Sequence, residues 1–187
     1  MKDFYLTGQL LLAAPSIADP RFARAVILVC SHTEEGAMGL VLSHPVTDLT
    51  LGKILKEMSI PSNERAPLDL PILSGGPMDT GRGFLLHTLD FEEPDTLKVL
   101  DRFGVTGTLE ALRDVATGKG PQDLLFILGY SGWGAGQLEQ ELQENAWLVA
   151  SADHDLIFST PTGDKWDRAF ARLGVDPLLL SAQSGHA

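Results

Sequence analysis

The amino-acid sequence predicts a single domain of the α+β class. The chain has 187 residues, close to the ~150 residues of an average domain. Its composition, with 44% hydrophobic and 21% charged residues, is that of an ordinary folded protein. Short apolar segments follow one another in a hairpin-like order, and the helical patterns between them do not alternate regularly with strands. This order favours an α+β fold over a doubly wound parallel sheet, and we expect residues 1–187 to form one domain.

The first part of the chain predicts a β-hairpin. Residues 9–14 and 25–31 are short apolar segments on either side of a loop that contains two prolines. The second segment is rich in β-branched residues and too short for a helix, which indicates a strand buried on both faces. A turn signal at Glu34-Glu35-Gly36 separates it from residues 38–43, which we expect to be its partner strand.

The remainder of the chain mixes helices and strands. Apolar residues three and four positions apart predict four helices, at residues 51–58, 109–116, 138–142 and 166–173. Thr50 and Asp164 are placed to cap the first and last of them, and Gly174 to end the last. Apolar runs predict further strands at residues 82–89, 96–100, 124–128 and 155–159, with 124–128 in the centre of the sheet.

The charge balance limits the classes of partner. The chain carries 14 Lys and Arg against 25 Asp and Glu, a formal net charge of −11. Binding to nucleic acid or to an anionic membrane relies on basic residues that neutralise phosphate, so both are disfavoured. The basic residues are also dispersed along the chain and do not form a stripe with interleaved aromatic residues. We therefore expect no direct contact with DNA and no membrane association.

The single cysteine, Cys30, excludes an intramolecular disulfide framework and a zinc site made of several cysteines. We expect a reducing, cytoplasmic location, because the N-terminal sequence also lacks the pattern of a signal peptide. No segment reaches the ~20 apolar residues that span a bilayer. The five histidines show no His-x3-His or His-Glu-x-x-His spacing. Asp153-His154-Asp155 is the one tight cluster of carboxylates with a histidine, and a solvated turn is favoured there over a metal site, so we expect no metal and no cofactor.

The strongest local signal is the glycine-rich segment Ser131-Gly132-Trp133-Gly134-Ala135-Gly136-Gln137, which follows the central strand and precedes a helix. Backbone amides at such a turn can bind an anion. The dinucleotide and P-loop patterns both fail, however, because the third glycine and the lysine that they require are absent. Glu139, Glu141 and Glu144 are expected on the solvent face of the following helix, and the first two would also repel a phosphate. The alternatives are a ligand-binding loop and a tight backbone crossing in which Trp133 fills space.

A second glycine-rich turn, Ser74-Gly75-Gly76-Pro77, also follows an apolar segment. Its amides could bind an anion, although turn geometry alone also explains this sequence. A pocket that joins the two turns would favour ligand binding.

Cys30 and His32 are the only candidates for a nucleophilic pair. They lie two residues apart on a predicted strand and are therefore expected on the same face. A cysteine at the end of an apolar run is more often an unreactive core residue, and the sequence offers no third group to orient the histidine.

Several segments together carry a family resemblance: residues 10–15, 19–22, 26–32, 36–41, 75–77, 82–87, 128–139 and 185–187, with Asn145 and Trp147. They resemble the AlgH/YqgE family of bacterial proteins over essentially the whole chain. The most specific of them is LGYSGWGAGQLE at residues 128–139. The family more often has an acidic residue where this chain has Ser31.

The resemblance implies an α+β fold in which a mixed, bifurcated β-sheet, partly closed as a small barrel, is surrounded by helices. It implies no established enzymatic activity. The family takes its name from a regulatory link to alginate synthesis, and the label of transcriptional regulator is inherited from that link.

The sequence therefore favours an uncharacterised, non-catalytic regulatory or binding protein that acts through a protein partner or a small ligand. The residues expected to form its site are Ser74, Gly75, Gly76, Gly132, Trp133, Gly134, Gly136 and Gln137. Two alternatives remain: an enzyme that uses Cys30 and His32, and a regulator that binds DNA directly, which the acidic charge disfavours.

Overall fold

A curved sheet of ten strands forms the centre of the structure, a computed structural model that describes the backbone of residues 5–184 and the side chains of residues 5–180. The strands are β1 Gln9–Ala13, β2 Val26–Thr33, β3 Gly36–Val41, β4 Pro45–Thr50, β5 Pro71–Ser74, β6 Met78–His87, β7 Leu97–Val99, β8 Phe103–Thr106, β9 Leu124–Gly134 and β10 Trp147–Ser151. Their order along the main path is β10-β1-β2-β3-β9-β6-β8-β7.

The sheet divides at β9. The first half of this strand pairs in parallel with β5, at Ile72 opposite Phe126, and antiparallel with β6. Its second half pairs antiparallel with β3, at Met38 opposite Gly132. One strand thus belongs to both branches, and the sheet curls into a half-barrel. The expected α+β class and the bifurcated, partly closed sheet are confirmed.

In the described part of the chain, five α-helices surround the sheet: α1 Leu51–Glu57, α2 Leu109–Ala116, α3 Gln137–Gln143, α4 Lys165–Leu173 and α5 Pro177–Ser184. The Thr50 side chain caps α1 by accepting a hydrogen bond from the Lys53 amide. Asp164 was expected to cap α4, but its side chain makes no capping bond. Gly174 does end α4, in the left-handed conformation at φ 70°. Among residues 5–184, none of the helices has the length and hydropathy that crossing a membrane requires.

Two expected elements differ from the structure. Residues 155–159, expected as a strand, form one turn of π-helix, Asp155–Ser159. Leu156 and Ile157 are both buried in the same apolar cluster, whereas adjacent residues of a strand point to opposite faces. The segment expected as a glycine loop after residue 128 continues β9 as far as Gly134, because β3 supplies a hydrogen-bonded partner along it.

Among the residues whose side chains are described, three apolar clusters make up the core. The largest lies within the curl of the sheet and is covered by α4. A second joins α1 and α2 to the β5, β6 and β9 branch. The third lies under α3 and contains Trp133, Leu138 and Trp147. This third cluster is the floor of the site described next.

Candidate functional site

The turn between β5 and β6 packs directly on β9. The Gly75 amide donates a hydrogen bond to the Leu128 carbonyl at 2.7 Å, and the Gly75 carbonyl accepts one from the Ser131 hydroxyl at 3.1 Å. A Cβ atom on Gly75 would overlap the Gly129 carbonyl, and one on Gly76 would overlap the Tyr130 backbone. Gly76 also has φ +144°, a value that side-chain-bearing residues rarely adopt. Close packing between strands therefore accounts for Gly75 and Gly76, and Ser74 belongs to the same packed segment as the last residue of β5.

The glycines of β9 are in a different environment. Gly132 and Gly134 lie on the exposed face of the strand. A Cβ atom on Gly132 would come no closer than 3.7 Å to Tyr130, and one on Gly134 no closer than 3.9 Å to Gln137. Packing does not require glycine at either position. Gly136 adopts φ +74° directly before α3, with open space beside it.

A cavity of about 490 Å³ opens beside Gly132. We call it the aromatic cavity. Its lining comes from five segments, and comprises Ile17, Asp19, Arg21, Phe22, Pro77, Met78, Gly132, Trp133, Gln137, Glu141, Ala146 and Trp147. Of the turn Ser74-Gly75-Gly76-Pro77, only Pro77 lines the cavity, together with Gly132, Trp133 and Gln137 of the segment at residues 131–137. The cavity thus brings together Gly132, Trp133 and Gln137 of the expected site residues, whereas Ser74, Gly75, Gly76, Gly134 and Gly136 do not line it.

The inner wall of the aromatic cavity is a cluster of three rings. Trp147 makes edge-to-face contacts with Phe22, at a centroid distance of 5.7 Å, and with Trp133, at 6.2 Å. Both indole groups donate their Nε1–H to the same atom, Glu141 Oε1, at 3.3 Å from Trp133 and 3.2 Å from Trp147. The carboxylate of Glu141 therefore fixes the orientation of both rings.

The mouth of the aromatic cavity carries an ion pair. Arg21 Nη2 lies 2.7 Å from Asp19 Oδ2, and the Arg21 Nε also donates to this carboxylate. The hydrogen bonds from Arg21 lower the pKa of Asp19. The Asp19 side chain also accepts from the Arg21 backbone amide and so caps the short helical turn Pro20–Phe22, which places Phe22 against Trp147.

A histidine–carboxylate contact anchors α3 from the other side. The Leu6 amide donates to His32 Nδ1 at 3.0 Å, so the ring carries its proton on Nε2, which donates to Glu139 Oε1 at 2.5 Å. Hydrogen bonds from its own backbone amide and from His32 lower the pKa of Glu139. Glu139 and Glu141 were expected to face solvent, but each holds a side chain of the core.

Cys30 and His32 do not form a pair, which corrects the expectation that they share a face. The pairing of β2 with β3 shifts by one residue between Val29 and Ser31. Such a bulge reverses the alternation of side chains, so that Cys30 enters the largest apolar cluster while His32 turns towards α3. Cys30 is 2% exposed, and its Sγ contacts the Leu28 carbonyl. Burial raises the pKa of the Cys30 thiol to about 12.

We expect Cys30 to resist alkylation in the native protein. With a pKa of about 12, only about one thiol in ten thousand is ionised at pH 8, and the thiolate is the reactive form. Mass spectrometry after treatment with iodoacetamide should show an unmodified chain in buffer and complete modification in denaturant. Stoichiometric labelling of the native protein within minutes would contradict this prediction and make Cys30 a candidate nucleophile again.

Within residues 5–184, no group of three or more His, Cys, Asp and Glu is arranged to hold a metal ion. His154, beside the acidic residues that frame it in the sequence, lies exposed with its Nε2 3.0 Å from Asp123 Oδ2. His186 lies outside the described residues.

Sequence reasoning missed most of the aromatic cavity. Trp147 comes from another strand than Trp133 and reaches it because β10 pairs with β1, at Trp147 opposite Ala13, while Phe22 contacts Trp147. Glu141 was assigned to the solvent face of its helix. The sequence did contain one indication that Glu141 contacts both tryptophans. Glu141 lies eight residues after Trp133 and six before Trp147, on the only helix between them.

A family model and several relatives match this chain over nearly its whole length. The AlgH-like family model matches residues 10–178. A UPF0301 protein from Ruegeria pomeroyi is 48% identical over 183 residues, covering 97% of this chain and 99% of its own. A UPF0301 protein from Cereibacter sphaeroides is also 48% identical, over 185 residues with the same coverage.

Two solved structures share the fold. The solution structure of the AlgH protein from Pseudomonas aeruginosa matches with a TM-score of 0.79 and 40% identity, covering 100% of both chains. A crystal structure from Corynebacterium diphtheriae matches with a TM-score of 0.74 and 24% identity, covering 97% of this chain and 94% of that one, and supports the fold alone. A family model that spans most of the residues and relatives that are nearly half identical over almost their full length lead to one conclusion: the chain belongs to the AlgH-like, UPF0301 family.

Proposed function

We propose that this chain is a non-catalytic binding protein, with the aromatic cavity as its site, and that it acts through a small ligand or a protein partner. The observation that carries the proposal is the wall of the cavity, where Glu141 holds the indole rings of Trp133 and Trp147 in fixed orientations. Gly132 lines the same cavity, although neither packing nor backbone conformation requires glycine there.

The dimensions and lining of the aromatic cavity support binding. A volume of about 490 Å³ lies within the range of roughly 300–1,000 Å³ that is typical of small-molecule sites. The walls combine aromatic and aliphatic side chains with a few polar groups, the usual composition of a ligand pocket. The floor is rigid, because Glu141 holds both indole rings.

The chemistry of the lining favours binding over catalysis. Among the described residues that line the aromatic cavity there is no serine, threonine, cysteine, lysine or histidine. Both carboxylates already bind other side chains of the protein: Glu141 accepts hydrogen bonds from the two indole groups, and Asp19 forms an ion pair with Arg21. A nucleophile beside a base, the usual arrangement for covalent catalysis, is therefore not built into this lining.

The three tryptophans provide a direct test of the proposal. Trp133 and Trp147 line the aromatic cavity, whereas the Trp166 indole donates to the Ala13 carbonyl elsewhere in the core. We expect a fragment library screened by ¹H–¹⁵N NMR to yield compounds that shift the Nε1–H signals of Trp133 and Trp147 and leave that of Trp166 in place. If hits move all three signals alike, or none of them, the aromatic cavity is not a binding site.

A further inference from the structure

We infer that the group bound in the aromatic cavity is a primary ammonium, supplied by a small amine or by a lysine side chain of a partner. This inference rests on the proposed function and specifies the class of ligand. Three features of the lining support it: the net charge of its side chains, its aromatic walls, and the hydrogen bonds to Asp19 that already occupy Arg21.

The charge of the lining is negative. Its ionisable side chains are Asp19, Arg21 and Glu141. Arg21 compensates Asp19, because the two form a close ion pair. The partners of Glu141 in the cavity are two indole N–H groups, which are neutral donors and leave the charge of the carboxylate in place. A cation entering the cavity therefore meets one uncompensated negative charge, and the net charge of −11 attracts cations to the protein as a whole.

The aromatic walls favour the same sign of charge. Phe22, Trp133 and Trp147 line the same cavity as Glu141, and the faces of aromatic rings attract cations, tryptophan most strongly. The protein already shows this contact at the mouth of the cavity, where the guanidinium carbon of Arg21 lies 5.9 Å from the centroid of the Phe22 ring. An ammonium group deeper in the cavity would combine the attraction of the rings with that of the carboxylate.

An anionic ligand is opposed by the same groups. Arg21 is the one basic residue among the described residues of the lining, and its Nε and Nη2 both already bind Asp19. To bind an anion it would have to give up these hydrogen bonds, while Glu141 would repel the ligand. A neutral ligand would remove water from Glu141 without supplying a charge in return, which is also unfavourable.

The charge of Glu141 can be removed without removing its structural role. A glutamine at this position retains an oxygen that accepts both indole hydrogen bonds, so Glu141→Gln should keep the tryptophan rings in place. Glu144→Gln is the matched control. It removes the same charge one turn further along the chain, where the exposed Glu144 accepts a hydrogen bond from Gln140 and does not line the cavity.

The test is a titration of the full chain with three probes of one length: n-butylammonium, n-butanol and n-butyrate. The Nε1–H signals of Trp133 and Trp147 report binding, and that of Trp166 is the reference. We expect butylammonium to shift the two signals, the other probes to shift them at least about fivefold less at equal concentration, and Glu141→Gln to weaken butylammonium about fivefold or more while Glu144→Gln does not. A peptide with one central lysine, compared with its acetyl-lysine form, distinguishes a partner's side chain from a free amine.

The outcomes separate the two proposals. If butanol or butyrate shifts Trp133 and Trp147 as strongly as butylammonium does, or if Glu141→Gln binds butylammonium as the native chain does, the ammonium inference is wrong and the binding site stands. If none of the probes, including the lysine peptide, shifts either signal, the ammonium inference is wrong, and the fragment screen then decides the proposed function separately.

Discussion

Replacing Gly76 by alanine is expected to destabilise the protein by about 3 kcal/mol or more, a large fraction of the roughly 5–15 kcal/mol that stabilises an ordinary domain. The new Cβ would overlap the Tyr130 backbone and the Ser131 hydroxyl, and φ +144° would be strained with any side chain. The neighbouring β9 cannot yield easily, because it is hydrogen bonded to β3 and β6 on its two sides. Urea unfolding, followed by circular dichroism, measures the effect.

Gly134→Ala is the control for this prediction. It places a methyl group on the exposed face of the same strand with no clash, and its stability should stay within about 1 kcal/mol of the native chain. If Gly76→Ala is equally mild, the turn between β5 and β6 is not held by close packing on β9, and its assignment to packing is wrong.

The second large effect concerns Lys165, the first residue of α4. It is 1% exposed, and its Nζ donates to the Leu42 carbonyl at 3.1 Å. Burial lowers the pKa of Lys165 from 10.5 to about 8. Between pH 8 and 10.5 the unfolded chain therefore keeps a proton that the folded chain has lost. Because the unfolded state then binds more protons, the contribution of Lys165 to stability rises with pH in this window.

We expect the free energy of unfolding of the native chain, relative to Lys165→Met, to increase by about 3 kcal/mol from pH 7 to pH 10.5. The difference between the two proteins must be used, because Cys30 titrates in the opposite sense: its raised pKa makes stability fall as pH rises above 9. The exposed Lys119→Met variant serves as the control for loss of one lysine. Parallel pH profiles for the native chain and Lys165→Met would show that the buried lysine does not titrate as its surroundings imply.

Much of the fold could be predicted from local pattern. The hairpin of β2 and β3 and the helices α1, α2 and α4 were visible as runs of β-branched residues or as apolar stripes. The strands β4, β5 and β10 were not visible in this way, because their formation depends on pairing with a neighbouring strand and not on a pattern in their own sequence. β5, for example, has four residues and is held in parallel against β9.

The candidate site was predictable only in part, for three physical reasons. Glycine is uncommon in strands, so residues 131–134 resembled a loop, although pairing with β3 makes them the end of β9. A single bulge in β2 separated Cys30 from His32, and bulges leave little trace in sequence. Finally, Trp147, which contacts Trp133, and Phe22, which contacts Trp147, lie in other elements of the chain, and periodicity cannot show that these elements meet.

The most direct measurement of the central claim, that the aromatic cavity binds a ligand, compares two substitutions on one strand. Gly132→Leu adds a side chain at a residue that lines the cavity, and Gly134→Leu adds the same side chain two residues along the same face of β9, at a residue that does not line it. Thermal unfolding should first show that both variants fold. The affinity for a fragment that shifts the Trp133 and Trp147 signals, measured by NMR titration, is then expected to fall at least about tenfold in Gly132→Leu, because the added bulk lies at the cavity, and to stay unchanged in Gly134→Leu. Equal affinity in the two variants would contradict the account.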